Sequence, residues 1–428
     1  MGNENQVSQI LDGLLFPKIF RSFRMAIQPS KLIIALGMIA VIGLTGWFMD
    51  LLSKSVVATP GTDKTQTELQ VYMIEPERVE AYTERYTSEE EYTGVFTTLW
   101  HFGADRFHGA LSELFAFNLP GVLTNVAEYI MAVRWAMNHH PIYCGIFAVI
   151  KLCIICIGGG AICRIAALQF ARNEKPGITE ALRFSSKKFV SFFTTPLFPV
   201  VIIILAGLCI FLLGLVANIP FFGELIAGIL MPLALLGGAL VAIFVIGTIA
   251  GFNLMYPAIA YDGSDSLDAV SRSFNYIYAR PWRMGLYTTA TIVYGAICYV
   301  FVRFFAFLLL WSTYFGLRLG AWADSSKGLT DKVMAVWSEP SFGRLLAYSA
   351  NAGNWSESAA AFLVYVFALI IVGLVVSFII SFYFSANTVI YALMRNKVDN
   401  TPLEEIYTEP EQTKTIPAEI KEESPESQ

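Results

Sequence analysis

The chain has 428 residues, of which 55% are hydrophobic and only 15% charged, and its mean hydropathy is +0.57. Soluble globular domains carry about 25% charge, which excludes that class here, and the long apolar runs are unlike the short alternating segments of a membrane β-barrel. The net charge of −5 comes with no basic stripe, so nucleic acid is not an expected partner.

Several apolar runs exceed the roughly 18 to 20 residues that cross hydrocarbon. The expected fold is therefore all-α: a polytopic membrane protein of about six transmembrane helices, with amphipathic interfacial helices before alternate spans.

Residues 1–31 are polar and then amphipathic. Leu15, Ile19, Phe20, Phe23 and Ile27 share a helical face, with Lys18, Arg21 and Arg24 opposite, a pattern that suits a helix lying on an anionic leaflet. The first span, 32–52, reads as a signal anchor, with cleavage near Val56-Val57-Ala58 as the alternative. Residues 53–140 form the largest non-spanning segment. Its stretch 59–92 is polar and acidic without a period, and reads as mobile. Phe96, Leu99, Trp100, Phe107, Leu111 and Leu114 then follow helical spacing. Asn118-Leu119-Pro120-Gly121 signals a turn, and Val122, Val126, Ile130 and Val133 mark a second helix, completing an αα-hairpin.

Residues 141–312 make the transmembrane core, spans two to five. Span two runs from 142 to 168, broken by Gly158-Gly159-Gly160, which allow a bend or a close approach. Residues 178–193 form an amphipathic segment, followed by span three at 195–217, with Pro196 and Pro199 at its start. Span four lies within 225–254. A second amphipathic segment, 264–277, places Leu267, Val270, Phe274 and Ile277 on one face, and Arg280-Pro281-Trp282-Arg283 separates it from span five at 284–310. An aromatic loop at 313–358 precedes the last span, 359–394, and 395–428 reads as a disordered acidic tail. Cys153 and Cys156 lie inside an apolar run and read as small packing residues rather than a redox pair.

Glu180-Ala181-Leu182 with Ser185 matches Asp268-Ala269-Val270 with Ser273, each ahead of a proline and a span, which suggests an internal helix-plus-span repeat; chance resemblance is the alternative. Basic residues concentrate at Lys18, Arg21, Arg24 and Lys31, between Arg164 and Lys188, at Arg272, Arg280 and Arg283, and at Arg395 and Lys397. By the positive-inside rule both termini are cytoplasmic, in the cell inner membrane, and 53–140 and 313–358 lie outside.

Four motifs, Pro176-Gly177-Ile178-Thr179-Glu180-Ala181-Leu182, Tyr261-Asp262-Gly263-Ser264-Asp265, Ala279-Arg280-Pro281-Trp282-Arg283 and Tyr391-Ala392-Leu393-Met394-Arg395-Asn396-Lys397-Val398-Asp399, resemble those of uncharacterised multi-pass membrane proteins of planctomycete-type bacteria. The resemblance covers most of 142–407. More loosely, the acid-Ala-apolar helix before a span is similar to that of membrane domains attached to some glycerophosphodiester phosphodiesterases, whose catalytic domain has no counterpart in this sequence. The resemblance implies an inner-membrane protein and transfers neither activity nor site residues.

Ionisable residues within spans are functional candidates. Lys151 lies mid-span, Arg303 lies toward the outer end of span five, and Glu224 opens span four. The three are expected to approach one another as a ligand or transport cluster, with Asp50 as a further acid and plain snorkelling as the alternative. His101, Asp105 and His108 share a helical face on which a metal could bind, with His139 and His140 to complete it; the wet face of an amphipathic helix is the competing reading, and no metal site is assigned. No catalytic or cofactor motif is present, so the expected role is a non-enzymatic membrane scaffold, with membrane-protein partners or further copies of itself. The alternative is a transporter or permease for a small solute or lipid.

Overall fold

The computed structural model describes residues 16–53, 55–59, 66–86, 92–320, 332–346 and 354–408. Its architecture is all-α, with six helices long and apolar enough to cross a membrane. The chain is thus an integral, multi-pass membrane protein, as its composition predicts.

A 3-10 turn at Phe16–Phe20 leads into α1 (Arg21–Ala26). Pro29 then starts the first long helix, α2 (Pro29–Leu52), at a position where its missing N–H would have no helical partner anyway. The segment that follows is ordered where it is described. Strand β1 (Val56–Thr59) pairs antiparallel with β2 (Gln66–Thr67) on one side and β3 (Tyr92–Thr93) on the other. Helix α3 (Glu68–Ile74) starts with a capping box between Thr67 and Gln70, and α4 (Val79–Tyr86) follows it. The expected αα-hairpin is present as α5 (Val95–Phe115) and α6 (Leu119–His139), with Asn118 accepting from the Gly121 amide and Pro120 in the first turn.

Val56, Leu69, Tyr72, Val79 and Val95 close around Trp135 of α6 as a separate small core. This corrects the expectation of a mobile 59–92 segment over its described part. Its apolar residues are few and scattered over several short elements, so no window shows a period. They become a core only when the distant Trp135 supplies the volume.

The larger core gathers around α7 (Pro141–Arg172). Next come α8 (Ile178–Lys187), α9 (Phe189–Val216) and α10 (Phe222–Asp262), then α11 (Ser266–Ala279), α12 (Pro281–Gly320), the short α13 (Lys332–Val336) and α14 (Trp355–Val398). Helix α7 is continuous through Gly158-Gly159-Gly160, so the expected break is absent. The glycines act instead as sites of close approach. A Cβ on Gly158 would meet Met38 of α2 at 2.3 Å, one on Gly159 the Phe384 ring of α14 at 2.5 Å, and one on Gly160 the Ser185 hydroxyl of α8 at 2.4 Å. Three neighbouring helices therefore rest on three consecutive residues.

Span boundaries shift outward from those expected, because the helices continue past the hydrocarbon-length windows. Residues 189–193, expected in the interfacial segment, belong to α9, which puts Pro196 and Pro199 inside that helix instead of at its start. Helix α11 turns one mixed face inward: Ala269, Val270, Ser273, Tyr276 and Ile277 are buried, whereas Leu267, expected on the apolar face, is exposed. Helices α9 and α10 pack along each other, yet in their most apolar stretches only 6% and 0% of residues are buried. That hairpin keeps its outer flanks uncovered.

The chain after α14 also differs from expectation. Residues 401–408 fold back, Ile406 is buried, and the Tyr407 amide donates to the Tyr261 carbonyl at 2.9 Å. The Tyr407 ring covers Gly263, whose φ of +64° is a conformation that L side chains rarely adopt. The tail expected to be disordered therefore has a docked first part, and 409–428 lie outside the described residues. Pro17, Arg21 and Arg24 border a common cleft with Glu404 of the returning segment, so both described ends lie on one side of the molecule, the terminal face.

Replacing Gly159 by Leu is expected to destabilise the protein by about 1–3 kcal/mol through overpacking. Gly145→Leu, on the same helix with open space around it, should change little. Thermal unfolding of both variants in one detergent checks this; equal midpoints would contradict the close-packing role.

Candidate functional site

No ion pair joins Lys151, Arg303 and Glu224, the three residues expected to cluster. Arg303, 8% exposed, has its guanidinium committed. Its Nε donates to the Phe342 carbonyl at 3.1 Å, Nη2 donates to the carbonyls of Phe342 at 3.0 Å and Gly343 at 3.1 Å, and Nη1 donates to the Tyr299 hydroxyl at 2.9 Å. Nη1 also meets Nε2 of His108. The guanidinium lies 5.4 Å from the centre of the Phe342 ring. Neutral acceptors satisfy the charge, and Arg303 clamps 337–346 and α5 onto α12. Lys151 is exposed on the side of α7, and Glu224 is exposed in the first turn of α10. The acceptors that take up the Arg303 guanidinium are thus the carbonyls of an aromatic loop and not the carboxylate of Glu224.

The histidine row resolves in the same way. Nδ1 of His108 donates to the Ala104 carbonyl at 2.7 Å, which leaves Nε2 as the acceptor for Arg303. His101 and Asp105 are exposed. Among the described residues, no group of three His, Cys, Asp or Glu side chains is placed to hold a metal ion.

Asp50 proves to be a cap instead of a partner for membrane cations. It lies in the last turn of α2, and its carboxylate accepts from the amides of Phe96 at 3.0 Å and Thr97 at 2.9 Å, the exposed donors of the first turn of α5. The hydroxyls of Thr97 and Tyr143 add bonds of 2.7 and 2.6 Å. A carboxylate at a helix N-terminus satisfies orphan amides and complements the helix dipole. Gly94, just ahead of α5, leaves the room: a Cβ there would overlap the Asp50 carboxylate at 1.9 Å. Nearby, Glu68 is 2% exposed and accepts from Nε1 of Trp135 at 3.1 Å, with His140 at 3.8 Å. Burial raises the Glu68 carboxyl above its ordinary value of 4.5 and lowers His140 below 6.5.

Among the described residues, a dense polar constellation lies at the terminal face, where the ends of α10 and α14 meet the side of α11. The Asp262 carboxylate is 7% exposed. Its Oδ2 accepts from the Tyr391 hydroxyl and, at 3.3 Å, from Nη1 of Arg272. Nε of Arg395 lies 3.1 Å from Oδ1, as an ion pair whose N–H is off-line for a hydrogen bond. Arg272 also donates to Asp268 at 2.9 Å, and Tyr276 donates to Asp399 at 2.5 Å. The returning segment is bound by the same residues. Arg395 donates to the Glu405 carbonyl at 2.8 Å, Arg164 donates to the carbonyls of Ala260 at 2.9 Å and Tyr407 at 2.8 Å, and Tyr261 donates to the Leu403 carbonyl.

Sequence reasoning passes over this constellation. There Arg395 and Arg272 serve only as topology charges, and Lys31 only as one more basic residue. A signal is nevertheless present: the Tyr261–Asp265 and Tyr391–Asp399 motifs, 129 residues apart at Asp262 and Tyr391, are the two that meet. Chemically the network is a lock whose charges are spent on one another and on carbonyls. Comparison with protein-family models, curated proteins and solved structures finds no significant match.

Asp50→Ala should destabilise the small core around Trp135 and α5 by about 1–2 kcal/mol, the usual cost of a lost N-cap, seen as faster amide exchange at the start of α5; unchanged exchange would contradict the capping role. Folded Glu68 keeps a proton that the unfolded chain releases, so its contribution to stability is lost as pH rises from about 4.5 toward the raised value. Glu68→Gln should flatten that part of the curve of unfolding midpoint against pH.

Proposed function

We propose that this chain is a non-enzymatic membrane scaffold that organises a complex, held in the cell inner membrane with its terminal face toward the cytoplasm. The carrying observation is a contrast. The terminal ends of α7, α10, α11 and α14 are knit into one polar and aromatic platform, while the α9–α10 hairpin extends from it with its flanks uncovered. A rigid base with an apolar arm suits the seating of another membrane helix or a second copy of the chain. The concentration of basic residues at the terminal face favours the cytoplasmic placement.

The helix-plus-span repeat belongs to this reading. Ala181 and Ser185 of α8, and Ala269 and Ser273 of α11, are all buried, and each helix lies against a glycine of a long helix, Gly160 or Gly251. Two equivalent brackets would then hold the platform at the membrane surface. The four shared motifs support membership of the uncharacterised planctomycete-type membrane family.

One observation favours the alternative of a transporter or permease. Lys31 is fully buried, and its Nζ donates to the Met25 carbonyl at 3.0 Å, to Gln169 Oε1 at 2.8 Å and to Ser385 Oγ at 3.4 Å, with no carboxylate among these acceptors. Buried ionisable groups of this kind mark transport paths in other membrane proteins.

Extraction of the full chain into native-lipid nanodiscs, followed by mass measurement, tests the scaffold. The expected result is discrete assemblies clearly heavier than one 47.4 kDa chain with its lipid. Single copies throughout would overturn the reading, and solute flux by such copies in reconstituted vesicles would establish the transporter.

A further inference from the structure

At the junction of α1 and α2 the terminal face carries a cleft of about 690 Å³. Arg21 and Arg24 of α1, Arg172 of α7 and Glu404 of the returning segment border it, with Phe20 and Phe170 among its apolar walls. Three guanidiniums against one carboxylate leave a positive excess. Among the described residues, none of the three arginines makes an ion pair or a side-chain hydrogen bond. Like charges in excess of their counter-charge repel one another, and an anion in their midst reduces that repulsion. The guanidinium fork matches phosphate oxygens in particular.

Two further observations give the site an interior and a depth. Gln169, 8% exposed, also lines the cleft, and its Oε1 is occupied by the buried Lys31 ammonium side chain at 2.8 Å. Its acceptor is therefore fixed by the core, which orients the remaining amide donors for a ligand. The depth follows from the helices: α2 starts at Pro29 and α7 ends at Arg172, so the cleft sits where two spans leave the hydrocarbon. Cationic walls backed by aromatic and aliphatic surface at that level match a phosphate attached to the start of an acyl-bearing glycerol.

We propose that this cleft binds a net-anionic phosphate-bearing headgroup, one whose phosphate has no cationic group of its own, with Arg21, Arg24 and Arg172 on the phosphate oxygens and the apolar continuation of the ligand against Phe20 and Phe170. The site is independent of the scaffold reading, since it rests on the cleft alone.

Native mass spectrometry of the full chain, purified with equimolar phosphatidylglycerol and phosphatidylcholine, tests it. Wild type should retain phosphatidylglycerol selectively. Arg24→Gln and Arg172→Gln should each lower that retention by roughly tenfold, the worth of a charge-assisted hydrogen bond. Arg183→Gln, a basic residue of the same face that does not line the cleft, should match wild type. In a second arm, inorganic phosphate is added to delipidated protein. Thermal stabilisation of wild type but not of the two cleft variants, without lipid selectivity, would keep the phosphate site and identify its source as a soluble compound. Absence of both lipid selectivity and phosphate stabilisation overturns the proposal, as does retention by both cleft variants equal to wild type. All three cleft arginines are solvent-exposed, and a common elution volume confirms that each variant is folded.

Discussion

The buried pair of Asp262 and Arg395 is the interaction on which the rest of the molecule depends. Asp262 ends α10 and Arg395 lies in the last turn of α14, so one 3.1 Å contact ties the ends of two of the longest helices together. Neither side chain reaches water freely, and a buried charge is tolerable only when it is paired and its remaining atoms are bonded. Tyr391 and Arg272 supply that for Asp262; the Glu405 carbonyl and the Tyr261 ring, 5.5 Å away, supply it for Arg395. Satisfying one charge thus draws in α11 and the returning 401–408 segment.

The two ends of the bundle are held by different chemistry. At the terminal face, charges neutralise one another. At the opposite end, single charges are spent on backbone: Asp50 on the first amides of α5, and Arg303 on the carbonyls of Phe342 and Gly343. Both arrangements answer the same constraint, that lipid offers no partner for a polar group. Between the ends, close packing at Gly158, Gly159 and Gly160, each filled by a different neighbouring helix, is joined by a few interhelical hydrogen bonds, such as that of the Ser185 hydroxyl to the Cys156 carbonyl at 2.7 Å. Where packing partners are missing, along α9 and α10, no polar group compensates, and the hairpin depends on the bilayer or on another protein for cover.

Much of this architecture is legible in the amino-acid order. Long apolar runs give the spans directly, and the punctuation at Asn118–Gly121 and Arg280-Pro281 marks helix ends with residues whose backbone chemistry stops a helix. What is not legible is which polar groups meet. Arg303 beside an apolar run looks like a lone membrane cation, because its partners are carbonyls, which every residue carries and no sequence pattern announces. Asp50 looks like a counter-ion because its amide partners lie 46 residues away or more. The 59–92 stretch looks unstructured because its core is completed by Trp135. Asp262, Tyr391 and Arg395 stand in two short polar-aromatic stretches of the sequence, yet their convergence depends on how α10 and α14 pack.

The Asp262–Arg395 pair locks the platform, and a double-mutant cycle tests this most directly. Unfolding free energies of wild type, Asp262→Asn, Arg395→Met and the double variant would be measured for the full chain in one detergent. Each single change strands a buried charge and should cost about 3–5 kcal/mol, while the double change should cost less than the sum of the two, leaving a coupling of about 1–3 kcal/mol. Strictly additive effects, or single variants as stable as wild type, would contradict the account.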